Sequence, residues 1–401
     1  MQKQKPLPVM ILNLFYPALT VARSLGRKGI KVFGIDSNKS NIGVKSRYIT
    51  YLNAPYREES LINFLLNFAA KHKTKFVLFP LSDDFLLFVS HYEKELSSYY
   101  LFPSPTKIPL KTFILKSEAI SIFEKLNIPI PKTVVLKKYF KETDIANLSF
   151  PIVLKPDLHE RWLNNPIVRS IIGPGNKVIL ITNITTCKKL CQKLLQYDTI
   201  VAQEYIPGTT ENLYYYVGYR NVSGKVIVSF IGRKLRTLPD TLGSETLIES
   251  IHHPELCKLG EKILSKLNYR GPAGIDFKFD PRDCTFKVIE INFRIGISDE
   301  LLLCCGIDLP YIYYLDSQGL NTSSYKTYKT GVVWYWFEKD LEWYREYRKK
   351  KAISTYSWLK HWSVKKHAHA AFAKDDLKPF FYMLLNLSKR YLKGLVHKIA
   401  Y

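Results

Sequence analysis

Two stretches joined by a short polar segment decide the fold: GIDFKFD at 274–280 and VIEINFR at 288–294. Strand side chains alternate between the two faces of a sheet, and both stretches alternate between apolar and polar residues. The intervening PRDC at 281–284 contains proline and aspartate, which are typical turn residues. The sequence therefore predicts a hairpin with one apolar face and one polar face.

The polar face of this hairpin carries the residues of greatest chemical interest. A register centred on Asp283 places Asp276 directly opposite Glu290, with Asn292 and Arg294 on the same face. Opposed carboxylates repel each other unless a positive charge lies between them, and asparagine is depleted in strands. Magnesium prefers hard oxygen ligands and would account for both features. The pattern alone leaves two interpretations open: a magnesium site, or an ordinary hairpin with one solvated face.

Upstream of the hairpin, the predicted pattern of secondary structure changes once, near Thr106. The first hundred residues alternate strands with amphipathic helices, which predicts a parallel sheet covered by helices. The predicted strands are 9–14, 31–36 and 76–80, and the predicted helices are 18–28 and 61–71. The turn at 13–17 lacks the glycines that a dinucleotide pyrophosphate requires, which argues against a nicotinamide dehydrogenase. The sequence pattern in the middle of the chain predicts an α+β region with an antiparallel sheet.

The C-terminal seventy residues are basic and rich in aromatic residues. Residues 331–401 contain fifteen Lys or Arg against six Asp or Glu, and the whole chain has a formal charge of +24. Amphipathic helices are predicted at 338–351 and 379–397, and packing on the parent domain is favoured over contact with a membrane surface. Nucleic acid, an anionic membrane or an anionic substrate would each suit this charge, so charge alone identifies no partner.

The hairpin and several motifs in the expected order resemble the ATP-grasp superfamily, in particular its carboxylate–amine ligases with a preceding Rossmann-like domain. The resemblance covers roughly residues 9 to 320. It implies that Asp276, Glu290 and Asn292 hold two Mg²⁺ ions bridging the phosphates of ATP, with Mn²⁺ as a substitute. It also implies that Arg294 faces the transferred phosphoryl group and the substrate carboxylate. Arg294 and Lys155 are the catalytic residues that the resemblance suggests.

The same resemblance assigns the residues that contact the nucleotide. Lys116 and Lys155 match the two phosphate-binding lysines, and VAQEYIPG at 201–208 matches the linker that reads adenine. Glu211 falls where a carboxylate holds the ribose, and RKLR at 233–236 matches the basic strand near the phosphates. The expected cofactor-binding residues are Lys116, Lys155, Gln203, Glu204, Ile206, Glu211 and Arg236.

This sequence departs from the family pattern at three places. Phe293 stands where the family often has proline, and Asp276 stands where glutamate is commoner. The loop that closes over the phosphates is usually glycine-rich, whereas the only candidate here, 170–175, contains Pro174. The closing loop is therefore the weakest part of the resemblance.

The expected fold is α/β and α+β in three parts. A Rossmann-like parallel-sheet domain spans 1–110, a two-lobed ATP-grasp domain spans 111–325, and a basic, helical and aromatic-rich segment spans 326–401. The expected function is an ATP-dependent ligase that activates a carboxylate as an acyl phosphate and joins it to an amine, releasing ADP and phosphate. The alternative is a nucleotide-binding protein that has lost catalysis and binds an anionic membrane or nucleic acid.

Partners and location follow from the same observations. Small-molecule carboxylate and amine substrates are expected, nucleic acid is disfavoured, and a homodimer is left open. Six cysteines without metal-ligand spacing suit free thiols in a reducing compartment. The expected location is cytoplasmic, with peripheral membrane contact through the basic segment as an option. The sequence does not identify the acid or the amine.

Overall fold

Three β-sheets organise the protein. The computed structural model describes residues 6–55, 57–103, 110–173, 176–360 and 366–399. The predicted domain boundary at 110/111 borders residues 104–109, which lie outside the described residues. Both domain boundaries stay predictions.

The N-terminal sheet is parallel throughout. Its strands are β1 (Val9–Leu12), β2 (Val32–Ile35), β3 (Ile49–Leu52), β4 (Phe76–Pro80) and β5 (Tyr100–Leu101). Its helices are α1 (Tyr16–Gly26), α2 (Glu58–His72), α3 (Asp83–His91) and α4 (Glu93–Leu96). The strand order is β3-β2-β1-β4-β5. Strands β1, β2 and β4 are buried along their whole length, as expected for a sheet covered on both faces. The predicted Rossmann-like arrangement is confirmed.

A smaller antiparallel sheet follows. Its strands are β6 (Thr133–Leu136), β7 (Ile152–Pro156), β8 (Ile179–Ile181) and β9 (Ile200–Glu204). The strand order is β6-β9-β7-β8. The helices of this part are α5 (Leu110–Ile114), α6 (Lys116–Lys125), α7 (His159–Leu163), α8 (Pro166–Ile172) and α9 (Ile184–Leu194). Helices α5 and α6 are separated at Leu115, which has an extended backbone. Because of this break, Lys116 opens a helix of its own.

The third sheet is the largest and contains the hairpin. Its strands are β10 (Leu213–Arg220), β11 (Val226–Leu238), β12 (Ser244–Ile251), β13 (Gly271–Asp280), β14 (Thr285–Asn292), β15 (Val333–Tyr335) and β16 (His367–His369). They are arranged in the order β14-β13-β10-β11-β12-β15-β16. The associated helices are α10 (Pro254–Leu267), α11 (Glu300–Cys305) and α12 (Leu309–Asp316). The predicted antiparallel sheet and hairpin are confirmed.

The C-terminal segment packs on the rest of the protein. It forms α13 (Phe337–Lys349), α14 (Thr355–Leu359) and α15 (Lys378–Ile399), close to the helices predicted at 338–351 and 379–397. The segment is not purely helical, since β15 and β16 extend the large sheet. Strands of three residues are too short to show a sequence period. No helix in the described part of the chain has the length and apolarity needed to cross a membrane.

One buried ion pair fixes the C-terminal segment to the large sheet. Arg236 on β11 donates to Asp340 on α13 at 2.8 Å, and the two side chains are 3% and 0% exposed. Asp340 also accepts hydrogen bonds from the Trp358 indole at 2.7 Å and the Thr246 hydroxyl at 2.9 Å. Breaking one partner of such a pair leaves an uncompensated buried charge.

We therefore expect Asp340→Ala to destabilise the fold strongly. The free energy of unfolding should fall by about 3–5 kcal/mol, because Arg236 would remain buried without its carboxylate. Urea titration followed by circular dichroism measures the change. Glu346→Ala is the matched control on the same helix, since its pair with Lys350 is exposed and should contribute under ~0.5 kcal/mol. Equal losses for the two variants would contradict the role of the buried pair.

Candidate active site

A cleft between the small and the large sheet brings together most of the predicted site residues. The space within the cleft and its open mouth is about 1430 Å³. The small sheet contributes Lys155 and Gln203, and the large sheet contributes Asp276 and Glu290. Asp83, the first residue of α3, reaches the same cleft from the N-terminal sheet. All three sheets therefore supply side chains to one site.

A β-bulge in the hairpin sets the two carboxylates opposite each other. Asp276 pairs with Glu290, as the sequence register predicts, whereas the next pair toward the turn is Phe277 with Val288. The pairing skips Ile289, which is the extra residue of the bulge. Without this bulge, the register of the turn would place Ile289 opposite Asp276 and turn Glu290 away. The acidic pair thus depends on one local irregularity.

Each carboxylate of the pair has a lysine as its counter-ion. The Lys234 ammonium lies 2.8 Å from Asp276, and the Lys116 ammonium lies 3.1 Å from Glu290. Burial raises the pKa of Asp276, and Lys234 only partly offsets this effect. Burial also opposes ionisation of Glu290, but Lys116 and Lys155 outweigh it and lower the pKa of that carboxyl well below its usual range. The ammonium groups of Lys234 and Lys116 therefore reduce the repulsion between the Asp276 and Glu290 carboxylates.

The donor set suits a divalent cation that is shared with a ligand. Asn292 lines the same cleft as Asp276 and Glu290, so two carboxylates and an amide oxygen are available. Within the described ranges, no three His, Cys, Asp or Glu side chains group together as a metal site. Magnesium typically takes one or two protein carboxylates and completes its shell with water and phosphate oxygens. These three residues therefore fit Mg²⁺ bound together with a phosphate ligand.

Lys155 ends an apolar strand with its amine directed into the cleft. It donates to the Gln203 side-chain oxygen at 2.7 Å and to the Ile289 carbonyl at 3.2 Å. Gln203 is fixed in turn by a 3.0 Å bond to the Thr133 hydroxyl. Burial lowers the pKa of Lys155 to about 8. A desolvated ammonium of this kind binds an incoming anion strongly, since little water has to be displaced.

The end of β9 and the residues that follow it lie along the cleft. Gln203, Glu204 and Ile206 all line it. The Glu204 carboxylate accepts a 2.9 Å bond from the Ser149 amide and lies 3.5 Å from Arg282. This side chain therefore already has partners within the protein and holds the neighbouring loop in place.

Sequence reasoning did not assign several charged residues of the cleft, among them Asp83, Lys177 and Glu245. Lys177 donates to the Ser244 hydroxyl at 2.7 Å. Glu245 on β12 lies 3.2 Å from the Lys234 ammonium, which it shares with Asp276. The available signal was weak: Lys177 precedes a short strand, and Lys234 lies within the basic stretch at 233–236.

Arg294 pairs with a carboxylate from the N-terminal sheet. Its Nε lies 2.7 Å from Asp83, which follows the carboxyl end of β4. Nearby, burial together with Asp83 and Asp84 raises the pKa of Glu160 to about 7. One end of the cleft therefore carries a guanidinium paired with the Asp83 carboxylate, and further carboxylates lie close to it.

Solved structures share this architecture over most of the chain. N5-carboxyaminoimidazole synthetase from Staphylococcus aureus complexed with ADP matches with a TM-score of 0.65 and 14% identity, over 87% of this chain and 88% of that one. L-amino acid ligase from Bacillus licheniformis matches with a TM-score of 0.57 and 17% identity, over 79% of this chain and 75% of that one. Biotin carboxylase from Campylobacter jejuni matches with a TM-score of 0.60 and 16% identity, over 81% of this chain and 74% of that one.

The chain has the ATP-grasp fold. Among curated proteins, a D-aspartate ligase from Enterococcus faecium (strain Aus0004) is 25% identical over 247 residues. The match covers 59% of this chain and 57% of that relative. No protein-family model matches the chain.

Two residues assigned from the ATP-grasp resemblance lie elsewhere. Glu211 is exposed on the short turn Thr210–Asn212 and is not among the cleft-lining residues. Arg236 is buried against Asp340, so its placement beside the phosphates is corrected. The pairing of β11 with β12 is irregular on both sides of Arg236, and this separates it from the cleft-lining Lys234. Strict alternation would have kept both cations on one face.

The candidate closing loop of the ATP-grasp fold is only partly described. Residues 170–172 complete α8, and Gly173 follows with a φ of 88°, a value that favours glycine. Pro174 and Gly175, which made this loop unusual in sequence, lie outside the described residues. The identity of the closing loop stays a prediction.

The lowered pKa of Lys155 predicts a pH-dependent affinity for ATP. Its charged form binds a polyphosphate, so affinity should be full below pH 8 and fall as the pH rises through about 8. Between pH 7 and pH 9 the Kd should rise about tenfold, with proton uptake on binding. Isothermal titration calorimetry in buffers of different ionisation enthalpy measures both effects.

Two conservative variants identify the titrating group. Lys155→Arg keeps its charge over this range and should flatten the profile. Lys278 also lines the cleft and has a pKa lowered by burial to about 8, so Lys278→Arg is the matched control and should leave the profile unchanged. A profile that flattens only with Lys278→Arg would overturn the assignment.

Proposed function

We propose that this protein is an ATP-dependent carboxylate–amine ligase. It would transfer the γ-phosphoryl group of ATP to a carboxylate, forming an acyl phosphate and ADP. An amine would then displace phosphate to form an amide bond. The observation that carries the proposal is the opposed pair Asp276 and Glu290, set in a cleft that is also lined by Lys116, Lys155 and Arg294. The D-aspartate ligase match supports it.

The basic residues of the cleft would bind the phosphates of ATP, and its oxygen ligands would bind the metal ions. Lys116 and Lys155 would bind the α- and β-phosphates. Asp276, Glu290 and Asn292 would hold two Mg²⁺ ions, with Mn²⁺ as a substitute, and these ions would neutralise charge on the β- and γ-phosphates. Phosphoryl transfer needs positioning and charge stabilisation more than covalent help from the protein. The internal lysine counter-ions hold the carboxylates ionised and aligned before the nucleotide binds.

An amino acid is the carboxylate substrate that the cleft suits best. Arg294 would bind the carboxylate group, and Asp83, 2.7 Å away, would hold the α-ammonium group. A zwitterion would then replace the internal ion pair with two matched contacts. D-aspartate is the first candidate, because the curated relative is a D-aspartate ligase.

The alternative with lost catalysis is less well supported. All three metal-binding candidates are present and line one cleft together with the lysines. A binding module that had lost catalysis would not need to retain this set. Carboxyphosphate chemistry, as in the biotin carboxylase neighbour, is a second option within enzymes, and a bicarbonate-dependent ADP release would favour it. The homodimer and the cytoplasmic location stay predictions.

We expect Glu290→Ala to abolish ligase turnover without unfolding the protein. The protein is incubated with ATP, Mg²⁺ and single amino acids, including D- and L-aspartate, while ADP release is followed and new amides are identified by mass spectrometry. Loss of the carboxylate should lower kcat roughly 100-fold or more. Asp283→Ala is the matched control on the turn of the same hairpin, where the carboxylate is exposed. Unchanged turnover by Glu290→Ala would count against the proposal.

The Asp83–Arg294 pair gives a test of substrate class. Asp83→Asn should raise the KM for the amino acid about tenfold and leave the KM for ATP unchanged, because a charge-assisted hydrogen bond to the ammonium is lost. A deamino analogue such as succinate should be insensitive to this substitution. Asp84→Asn is the neighbouring control, since Asp84 does not line the cleft. A lower KM in Asp83→Asn would mean that Asp83 competes with the substrate for Arg294.

A further inference from the structure

Helix α15 presents an apolar stripe away from the protein. Leu377 just before the helix, then Phe381, Leu385 and Leu392, are 40%, 59%, 51% and 62% exposed. Their spacing of four, four and seven residues places them on one helical face. The opposite face is buried through Met383 and Leu387, which are 3% and 7% exposed. The helix is therefore apolar on both faces, although only one face has a partner among the described residues.

The exposed stripe has a strongly basic setting. Lys378 and Lys389 lie beside it and are exposed, as is Lys374 just upstream. The sequence from 378 to 399 contains five Lys or Arg and no Asp or Glu. A surface of this kind is complementary to an apolar layer that carries negative charge at its boundary.

The proposed active site does not account for the positive charge of the chain. The cleft is lined by six Lys or Arg and five Asp or Glu, an excess of one positive charge. The chain as a whole carries +24, and residues 331–401 hold fifteen Lys or Arg against six Asp or Glu. The C-terminal segment that contains the apolar stripe therefore holds +9 of the +24 in less than a fifth of the chain.

We propose that α15 docks the protein on an anionic lipid surface. The stripe of Leu377, Phe381, Leu385 and Leu392 enters the boundary between headgroups and acyl chains, while Lys378 and Lys389 contact lipid phosphates. The inward face stays packed on the protein, so docking requires no unfolding. The contact is peripheral, since only the outward face of α15 enters the lipid.

Vesicle sedimentation with the full chain tests the proposal. Vesicles of phosphatidylcholine alone are compared with vesicles that also contain phosphatidylglycerol at about one third of the lipid. We expect binding to the anionic vesicles and weak binding to the neutral ones. Raising the salt from about 0.1 M to about 1 M should weaken binding, because the Debye length falls from ~10 Å to ~3 Å.

Two variants separate the apolar contribution from the charged one. Phe381→Glu with Leu385→Glu should lower the partition coefficient roughly tenfold or more, because two apolar side chains that would enter the lipid become charged. Lys378→Gln with Lys389→Gln should lower it about 25-fold on anionic vesicles only, at roughly fivefold for each lysine. The control is Ile167→Glu with Leu320→Glu, which adds the same two charges at exposed apolar positions outside the helix.

The outcomes distinguish docking on lipid from other uses of this face. All variants should retain circular dichroism and ADP release, since the substituted side chains are exposed and outside the cleft. The proposal is overturned if the wild-type chain ignores anionic vesicles or if the control pair weakens binding as much as the helix pair. It is also overturned if Phe381→Glu with Leu385→Glu abolishes self-association in analytical ultracentrifugation and leaves vesicle binding intact, because a second copy would then cover the stripe.

Discussion

The opposition of Asp276 and Glu290 is the constraint on which the rest of the site depends. Two carboxylates facing each other on neighbouring strands are unfavourable unless cations lie close by. The protein provides these cations from distant parts of the chain: Lys234 from the same sheet and Lys116 from a helix beside the small sheet. The Lys116–Glu290 pair thereby links α6 to β14 across the cleft.

Two local irregularities in strand pairing decide which side chains face this cleft. The bulge at Ile289 brings Glu290 opposite Asp276, and the irregular pairing around Arg236 separates it from Lys234. Alternation along a strand predicts the first arrangement because the register was counted from Asp283, the residue midway between the two carboxylates. It fails for the second, since nothing in RKLR at 233–236 marks the bulge. A one-residue shift is enough to exchange the two faces.

The sequence predicts what is set locally and misses what is set by packing. The parallel sheet, the hairpin and the amine of Lys155 follow from periodicity, turn residues and the end of an apolar strand, whereas Lys116 follows only from the family resemblance. The contact between Asp83 and Arg294 joins residues 211 positions apart and depends on how two sheets meet. The strands β15 and β16 have three residues each, too few for a period to appear. Long-range pairs and very short strands therefore need the structure.

The two ion pairs that involve Arg236 and Arg294 show how similar residues take opposite roles. Arg236 donates to the Asp340 carboxylate and the Trp358 carbonyl, and Thr246 donates to the same carboxylate, so the charge of Arg236 holds α13 against the sheet. Arg294 is also paired, but its partner Asp83 lies at the cleft wall, and both side chains remain about one fifth exposed. Desolvating a pair completely makes it structural, because no ligand can reach it. Leaving the pair at a cleft wall keeps both charges accessible to a ligand, which is what the proposed binding of a zwitterion requires.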